Sequence, residues 1–220
     1  MTSAAAAADL PGDGLVEIAL VGRSNVGKSS LINALARERV ARTSAAPGKT
    51  RLANYYRLAR GGGPPFYLVD LPGYGYARGG DAAAREFAEL TQAYFAEVRL
   101  KPHAAPAGAA AALLLVDARH PGLDSDRAAW RWLTTVVEDA ALVATKIDKL
   151  ARGQRIRATR ELESVFEHSV LPVSAVTGEG LDELWKLIDR LANSHKPQPR
   201  SRDSRPSQPP RAAMAQPRRR

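Results

Sequence analysis

Eight consecutive residues, Gly22-Arg23-Ser24-Asn25-Val26-Gly27-Lys28-Ser29, fit the spacing G-x-x-x-x-G-K-[ST] in full. The chemistry explains the spacing. Glycines at 22 and 27 let the backbone wrap tightly, so that successive N–H groups point inward at phosphate oxygens. A helix starting near Lys28 adds its positive end. Lys28 can reach the terminal phosphates of a nucleoside triphosphate, and the Ser29 hydroxyl can ligate Mg²⁺. This loop alone does not choose between hydrolases of GTP or ATP and small-molecule kinases.

Later segments narrow the choice. Asp70-Leu71-Pro72-Gly73 follows a short apolar run. Asp70 there would hold Mg²⁺ through water, and the Gly73 N–H would meet the terminal phosphate. Thr145-Lys146-Ile147-Asp148 closes another apolar run. A carboxylate at 148 can accept two hydrogen bonds from guanine, at N1–H and the N2 amine. Adenine has a lone pair at N1 and no N2 amine, so it would leave that carboxylate unpaired; discrimination of this polar kind reaches about 10⁴–10⁵. The stem of Lys146 can lie across the base. Ser174-Ala175-Val176 can supply a backbone N–H to guanine O6. Between the first two motifs lies Thr43-Ser44-Ala45-Ala46-Pro47-Gly48-Lys49-Thr50-Arg51. There Thr50 can offer its hydroxyl to Mg²⁺ and its N–H to the terminal phosphate. A contact of that kind exists only in the triphosphate state.

The elements that must position these residues alternate between strand and helix. Strands are expected over 15–21, 52–59, 66–69, 111–116, 141–144 and 170–173. Helices are expected over 29–37, 81–98, 124–138, 154–168 and 182–192. Several strands are apolar throughout, which argues for an α/β fold with a mostly parallel sheet and helices on both faces. Ligands on such sheets sit at the carboxyl ends of strands, where Gly22, Asp70, Thr145 and Ser174 fall. Trp130, Trp132 and Trp185 lie on helices and read as core or half-core residues.

Composition sets the outer limits. The 220 residues are 45% hydrophobic, which suits one globular domain. There is no Cys, which excludes disulfides and thiolate metal sites. The four His are scattered, and no apolar run approaches the length of a membrane span. The N-terminus lacks a basic region of the signal-peptide kind. A cytoplasmic protein, monomeric and without a membrane span, is expected. The formal net charge is +9. Residues 193–220 hold eight Lys or Arg, one Asp, six Pro and no aromatic residue, giving +7 of that total. The expected organisation is a flexible N-terminus at 1–14, a folded domain at 15–192 and a disordered basic tail at 193–220. Such a tail can bind RNA by counterion release, with affinity but no sequence specificity.

Taken together, GRSNVGKSSLINAL, RTSAAPGKTR, LVDLPGYGYA, VDARHPGLDSD, ATKIDKL and SAVTGEGLDEL resemble the EngB (YihA/YsxC) family of bacterial GTPases, in the TrmE–Era–EngA–EngB group. The resemblance covers about 15–192. It implies a Ras-like P-loop GTPase domain that binds GTP and GDP with Mg²⁺. It implies a part in assembling the large ribosomal subunit, with rRNA and ribosomal proteins as partners, and a requirement for normal cell division and septation. By the same resemblance Gly22 to Ser29 bind phosphates, Ser29 and Thr50 ligate the metal, and Gly48, Lys49, Thr50, Arg51 and Leu52 form the first switch. Asp70, Leu71, Pro72 and Gly73 form the next motif. Thr145, Lys146, Ile147 and Asp148 read guanine, and Ser174, Ala175 and Val176 close the base pocket.

Two departures matter. The general guanine motif begins with Asn, and Thr145 lacks that amide, so weaker packing between the base loop and the phosphate loop is expected. Where many GTPases place a Gln after D-x-x-G to orient the attacking water, this chain has Tyr74. Its ring is expected to point away from the terminal phosphate, and slow intrinsic hydrolysis follows. No catalytic base is evident; Lys28, Asn25 and Thr50 remain the candidates. Asn25 matches the residue that ligates K⁺ in related potassium-activated GTPases, and K⁺ acting with a ribosomal partner would supply the missing positive charge. Tyr76 and Arg78, with Tyr74, would lie in the second switch. A different class of reading is an RNA- or ribosome-binding structural protein that uses guanine nucleotide mainly for stability.

Overall fold

Runs of apolar residues with no polar interruption make the strands at the centre of the molecule. In the computed structural model, which describes residues 2–4, 13, 15–41, 53–74, 91–96 and 111–194, these runs lie side by side. Strand β1 is Thr2–Ala4, β2 Glu17–Gly22, β3 Ala53–Leu58, β4 Phe66–Asp70, β5 Ala111–Asp117, β6 Ala140–Thr145 and β7 Val170–Pro172. Their order across the sheet is β1-β3-β4-β2-β5-β6-β7. The five from β4 to β7 are parallel, as the apolar runs predict. The edge differs: β3 runs antiparallel to β4, and Thr2–Ala4, part of the segment read as flexible, pairs antiparallel with β3.

Every residue of β2, β4 and β5 is buried, because helices cover both faces. Alternation along β5 divides the interior. Leu114 and Val116 face a core shared with Trp130, Leu133, Leu162 and Phe166. Leu113 and Leu115 face a second core with Leu31, Ile32, Leu184, Trp185 and Ile188. Helices α2 (Asp124–Val136) and α3 (Arg152–Phe166) thus cover one face, and α1 (Lys28–Ala36) and α4 (Leu181–Ser194) the other. Trp130 and Trp185 are buried and Trp132 packs against the first core, which agrees with their reading as core residues. Helix α4 runs to Ser194, two residues into the segment read as tail. The helix expected over 81–98 is described only at 91–96, where it is helical and buries Tyr94 and Phe95. None of the described helices is long and apolar enough to cross a membrane.

Strand register sets the functional edge. Leu20 pairs with Asp70, Gly22 with Leu115, Asp117 with Thr145, and Ala144 with Pro172. The carboxyl ends of five parallel strands therefore come level, and the motifs emerge together from one edge.

Candidate guanine-nucleotide site

The loop between β2 and α1 turns on residues that tolerate positive φ. Gly27 has φ 116° and caps α1, while Asn25 sits in the left-handed region at φ 61°. Gly22 is needed for space, since a Cβ there would lie 2.8 Å from the Leu115 carbonyl oxygen and 2.9 Å from Val26 Cγ1. The Lys28 ammonium is buried and donates to the Gly22 carbonyl at 3.1 Å. Burial pushes its pKa down, and the nearby Asp70 carboxylate works in the opposite direction.

Asp70 ends β4 beside this loop. Burial raises its pKa to about 6, offset in part by Lys28. Its Oδ1 is buried and has no hydrogen-bond partner. An orphaned carboxylate oxygen near Lys28 of the phosphate loop suits a hard cation such as Mg²⁺. Ser29 and Asp70 are the residues here that would hold that ion. When bound, Mg²⁺ would neutralise charge on phosphate oxygens. Gly73 packs on the loop so closely that a Cβ would stand 2.7 Å from the Ser24 nitrogen and 3.0 Å from Lys28 Nζ. Thus Gly22–Ser29 and Asp70–Gly73 do come together. Gly48, Lys49, Thr50, Arg51 and Leu52, together with Tyr76 and Arg78, lie outside the described residues. At the entry to the 42–52 segment, Asn33 holds Ala41 through two bonds, from Asn33 Nδ2 to the Ala41 carbonyl at 2.8 Å and from the Ala41 N–H to Asn33 Oδ1 at 2.7 Å.

The base loop is fastened to the phosphate loop at two points. The Thr145 hydroxyl is buried and donates to the Val26 carbonyl at 2.7 Å. The contact at Thr145 between base loop and phosphate loop is thus made by a single hydroxyl where the general motif has an amide. Lys146, left-handed at φ 62°, donates from Nζ to the Asn25 carbonyl and to Asp117 Oδ2, the latter at 3.0 Å. Its stem so spans the gap between the two loops.

Asp148 accepts from the Ser174 hydroxyl at 2.7 Å. Burial acts to raise its pKa, but the bond from Ser174 and the nearby Lys149 outweigh it and leave the carboxyl below the usual range. Ser174 also accepts from the N–H groups of Val176 (3.2 Å) and Thr177 (3.1 Å), while its own N–H donates to the Glu179 carbonyl at 2.9 Å. The backbone N–H groups of Ser174 and Val176 are therefore engaged within the turn.

Two acidic residues of VDARHPGLDSD have contacts that the motif by itself does not reveal. Asp117 ends β5 and accepts from Lys146 Nζ, from Arg119 Nε at 2.9 Å and from Arg119 Nη2 at 2.8 Å. Burial works to raise its pKa, but the donors of Arg119 and Lys146 overcome it and hold the carboxyl well below the usual range. Its place at the end of an all-apolar strand, like that of Asp70, is the sequence signal that could have found it. Asp126 joins Arg23 and Tyr74; only its position in an acidic helix start hints at this.

Phosphate loop, orphaned carboxylate and the Asp148 carboxylate held by Ser174 thus lie along one sheet edge. A family profile described as 50S ribosome-binding GTPase matches residues 17–146. The probable GTP-binding protein EngB of Chlorobaculum parvum (strain DSM 263 / NCIMB 8327) is 41% identical over 186 residues, covering 82% of this chain and 89% of that one. That of Clostridioides difficile (strain 630) is 39% identical over 84% of this chain and 88% of its own. The chain belongs to the EngB family of GTP-binding proteins. The crystal structure of a probable GTP-binding protein EngB matches with a TM-score of 0.60 at 21% identity, over 82% of this chain and all of that one. Era in complex with MgGDPNP and a segment of 16S ribosomal RNA matches with a TM-score of 0.64 at 22% identity, over 81% of this chain and 57% of Era. Both likenesses establish the Ras-like P-loop GTPase fold. As an EngB-family protein, the chain is a guanine-nucleotide-binding P-loop GTPase.

Proposed function

We propose that this EngB-family chain is a nucleotide switch in large ribosomal subunit assembly, hydrolysing GTP to GDP and phosphate slowly by itself. The observation that carries the specificity is the Asp148 carboxylate, aimed by the Ser174 hydroxyl at 2.7 Å on a loop tied to the phosphate loop. Pre-orientation of that kind favours guanine, since an adenine base would leave a committed carboxylate without donors. Ser29 and Thr50 would complete the Mg²⁺ shell with phosphate oxygens, and Gly48–Leu52 would form the first switch.

The slow rate follows from Tyr74. Its hydroxyl donates to Asp126 at 2.8 Å, so the side chain is engaged by α2 and offers no amide to a water. K⁺ held partly by Asn25, whose side chain is exposed beside the phosphate loop, would supply positive charge together with a ribosomal partner. Turnover equal in Na⁺ and K⁺, with and without ribosomes, would remove that part. The partner would be the large subunit or its precursor in the cytoplasm. A septation defect on depletion would accompany that role.

The deciding experiment is co-sedimentation with isolated large subunits in GDP and in a non-hydrolysable GTP analogue. Binding with the analogue alone is expected. Equal binding in both states would favour a ribosome-binding structural role instead, and the +7 charge of residues 193–220 is the feature that gives that alternative its force.

A further inference from the structure

One polar cluster, buried at Asp126 and Tyr74, joins the phosphate loop to α2. Arg23 of the phosphate loop places Nε 3.1 Å from Asp126 Oδ1. Tyr74, the residue after Gly73, donates its hydroxyl to the same oxygen at 2.8 Å. Asp126 stands in the first turn of α2, where the helix end favours a negative charge, and its side chain is 1% exposed. Its second oxygen is buried without a partner. A carboxylate shared by two donors on one oxygen and unsatisfied on the other is an expensive way to fill a core, and an apolar trio of similar volume would be no less stable.

The backbone shows what the cluster holds. The Ser24 N–H donates to the Tyr74 carbonyl at 2.9 Å, and Arg23 and Tyr74 form an isolated parallel bridge. Gly73, between Pro72 and Tyr74, is pressed against Ser24 and Lys28. The side chains of Arg23 and Tyr74 thus leave a paired stretch of backbone and converge on one carboxylate of a helix outside the nucleotide motifs. We infer that Asp126 is a positioning residue for the terminal phosphate: by anchoring Arg23 and Tyr74 it sets Gly73 against the phosphate loop and so favours GTP over GDP. The inference rests on the reading of the Gly73 N–H as the terminal-phosphate contact. It also makes α2 the element through which a partner touching the protein far from the base could act on that contact.

The test compares affinities of the full chain for fluorescent GDP and for a non-hydrolysable GTP analogue. Asp126→Ala is expected to weaken the analogue about tenfold, the scale of one lost charge-assisted bond, with GDP changed less than about twofold. Asp126→Asn keeps an oxygen acceptor for both donors and should recover most of the loss. Tyr74→Phe keeps the ring and removes only its hydroxyl; it should give a smaller loss confined to the analogue, and no further loss in the Asp126→Ala background. Equal weakening of both nucleotides, no change, tighter analogue binding, or additive effects would overturn the inference. Should Asp126→Ala fail to fold, Tyr74→Phe decides by the same criteria. Gly73→Ala separates the two levels. If it leaves analogue binding intact, the reading of Gly73 fails and the inference with it. If it impairs the analogue but not GDP, while Asp126→Ala impairs neither, the inference alone fails.

Discussion

At the scale of single residues, acidic side chains at the sheet edge have opposite electrostatic surroundings. Asp70 is buried with one oxygen unpartnered, and burial pushes its carboxyl up to about 6, whereas Asp117 is surrounded by donors from Arg119 and Lys146. Asp117 therefore stabilises the fold while ionised. Because its folded pKa lies below its unfolded one, this stabilisation is complete above the ordinary carboxylate range and is lost only as pH falls through the lower, folded value. Asp117→Asn is expected to cost about 2 kcal/mol at neutral pH, the worth of a hydrogen bond to charged donors. The difference between wild type and variant should stay flat from about pH 8 to 5 and shrink only below about pH 4. Denaturant unfolding at a series of pH values measures it; a difference that already declines between pH 7 and 5 would contradict the assignment.

At the scale of elements, the turn from β7 to α4 holds Asp148, the proposed reader of the base. Ser174 orients Asp148 because its turn is closed by backbone bonds and by two glycines with φ 81° and 77°, Gly178 and Gly180. Gly180 has no room for a side chain, since a Cβ would lie 2.2 Å from the Pro172 carbonyl oxygen. Arg155 of α3 adds an ion pair to Glu179 of the same turn at 2.6 Å. Gly180→Ala should therefore displace the turn, lower stability by at least about 2 kcal/mol through strain at positive φ and overlap, and weaken GDP more than tenfold. Thermal unfolding and nucleotide titration check the two effects. Unchanged GDP affinity in a folded Gly180→Ala protein would mean that Asp148 does not depend on this turn.

At the scale of the whole molecule, charge and fold are separable. The described α/β core has its two apolar layers on either side of the sheet and closes with α4. Seven of the nine net positive charges lie beyond residue 192. Removing residues 195–220 is expected to leave the melting temperature and GDP affinity unchanged. Large-subunit binding should lose salt dependence, by about 0.7–0.9 in the log–log slope for each basic residue that meets a phosphate. Binding that still follows the nucleotide after truncation would place recognition in the folded part. Binding that vanishes would place it in the tail.

Much of this was legible in order of residues alone. The phosphate loop declares itself because a tight phosphate cradle admits few spacings of glycine, lysine and hydroxyl. The parallel sheet declares itself because strands buried on both faces must be apolar throughout, as Ala111–Val116 is. The edge strand pairing of Thr2–Ala4 was not legible, since antiparallel pairing at a sheet margin makes no demand on three small residues. Nor was the replacement of an Asn amide by the Thr145 hydroxyl, which depends on how near Val26 comes. Asp117 and Asp126 read locally as a strand end and a helix start. Their partners at Lys146, Arg23 and Tyr74 lie far along the chain, and no short-range pattern encodes a contact that forms only when separate strands and helices meet. Sequence determined the class of ligand and the elements that carry it. Tertiary packing decided which carboxylate is held by a hydroxyl, which keeps an unpartnered oxygen, and which ties the loops together, because burial and donor geometry arise only from the assembled edge.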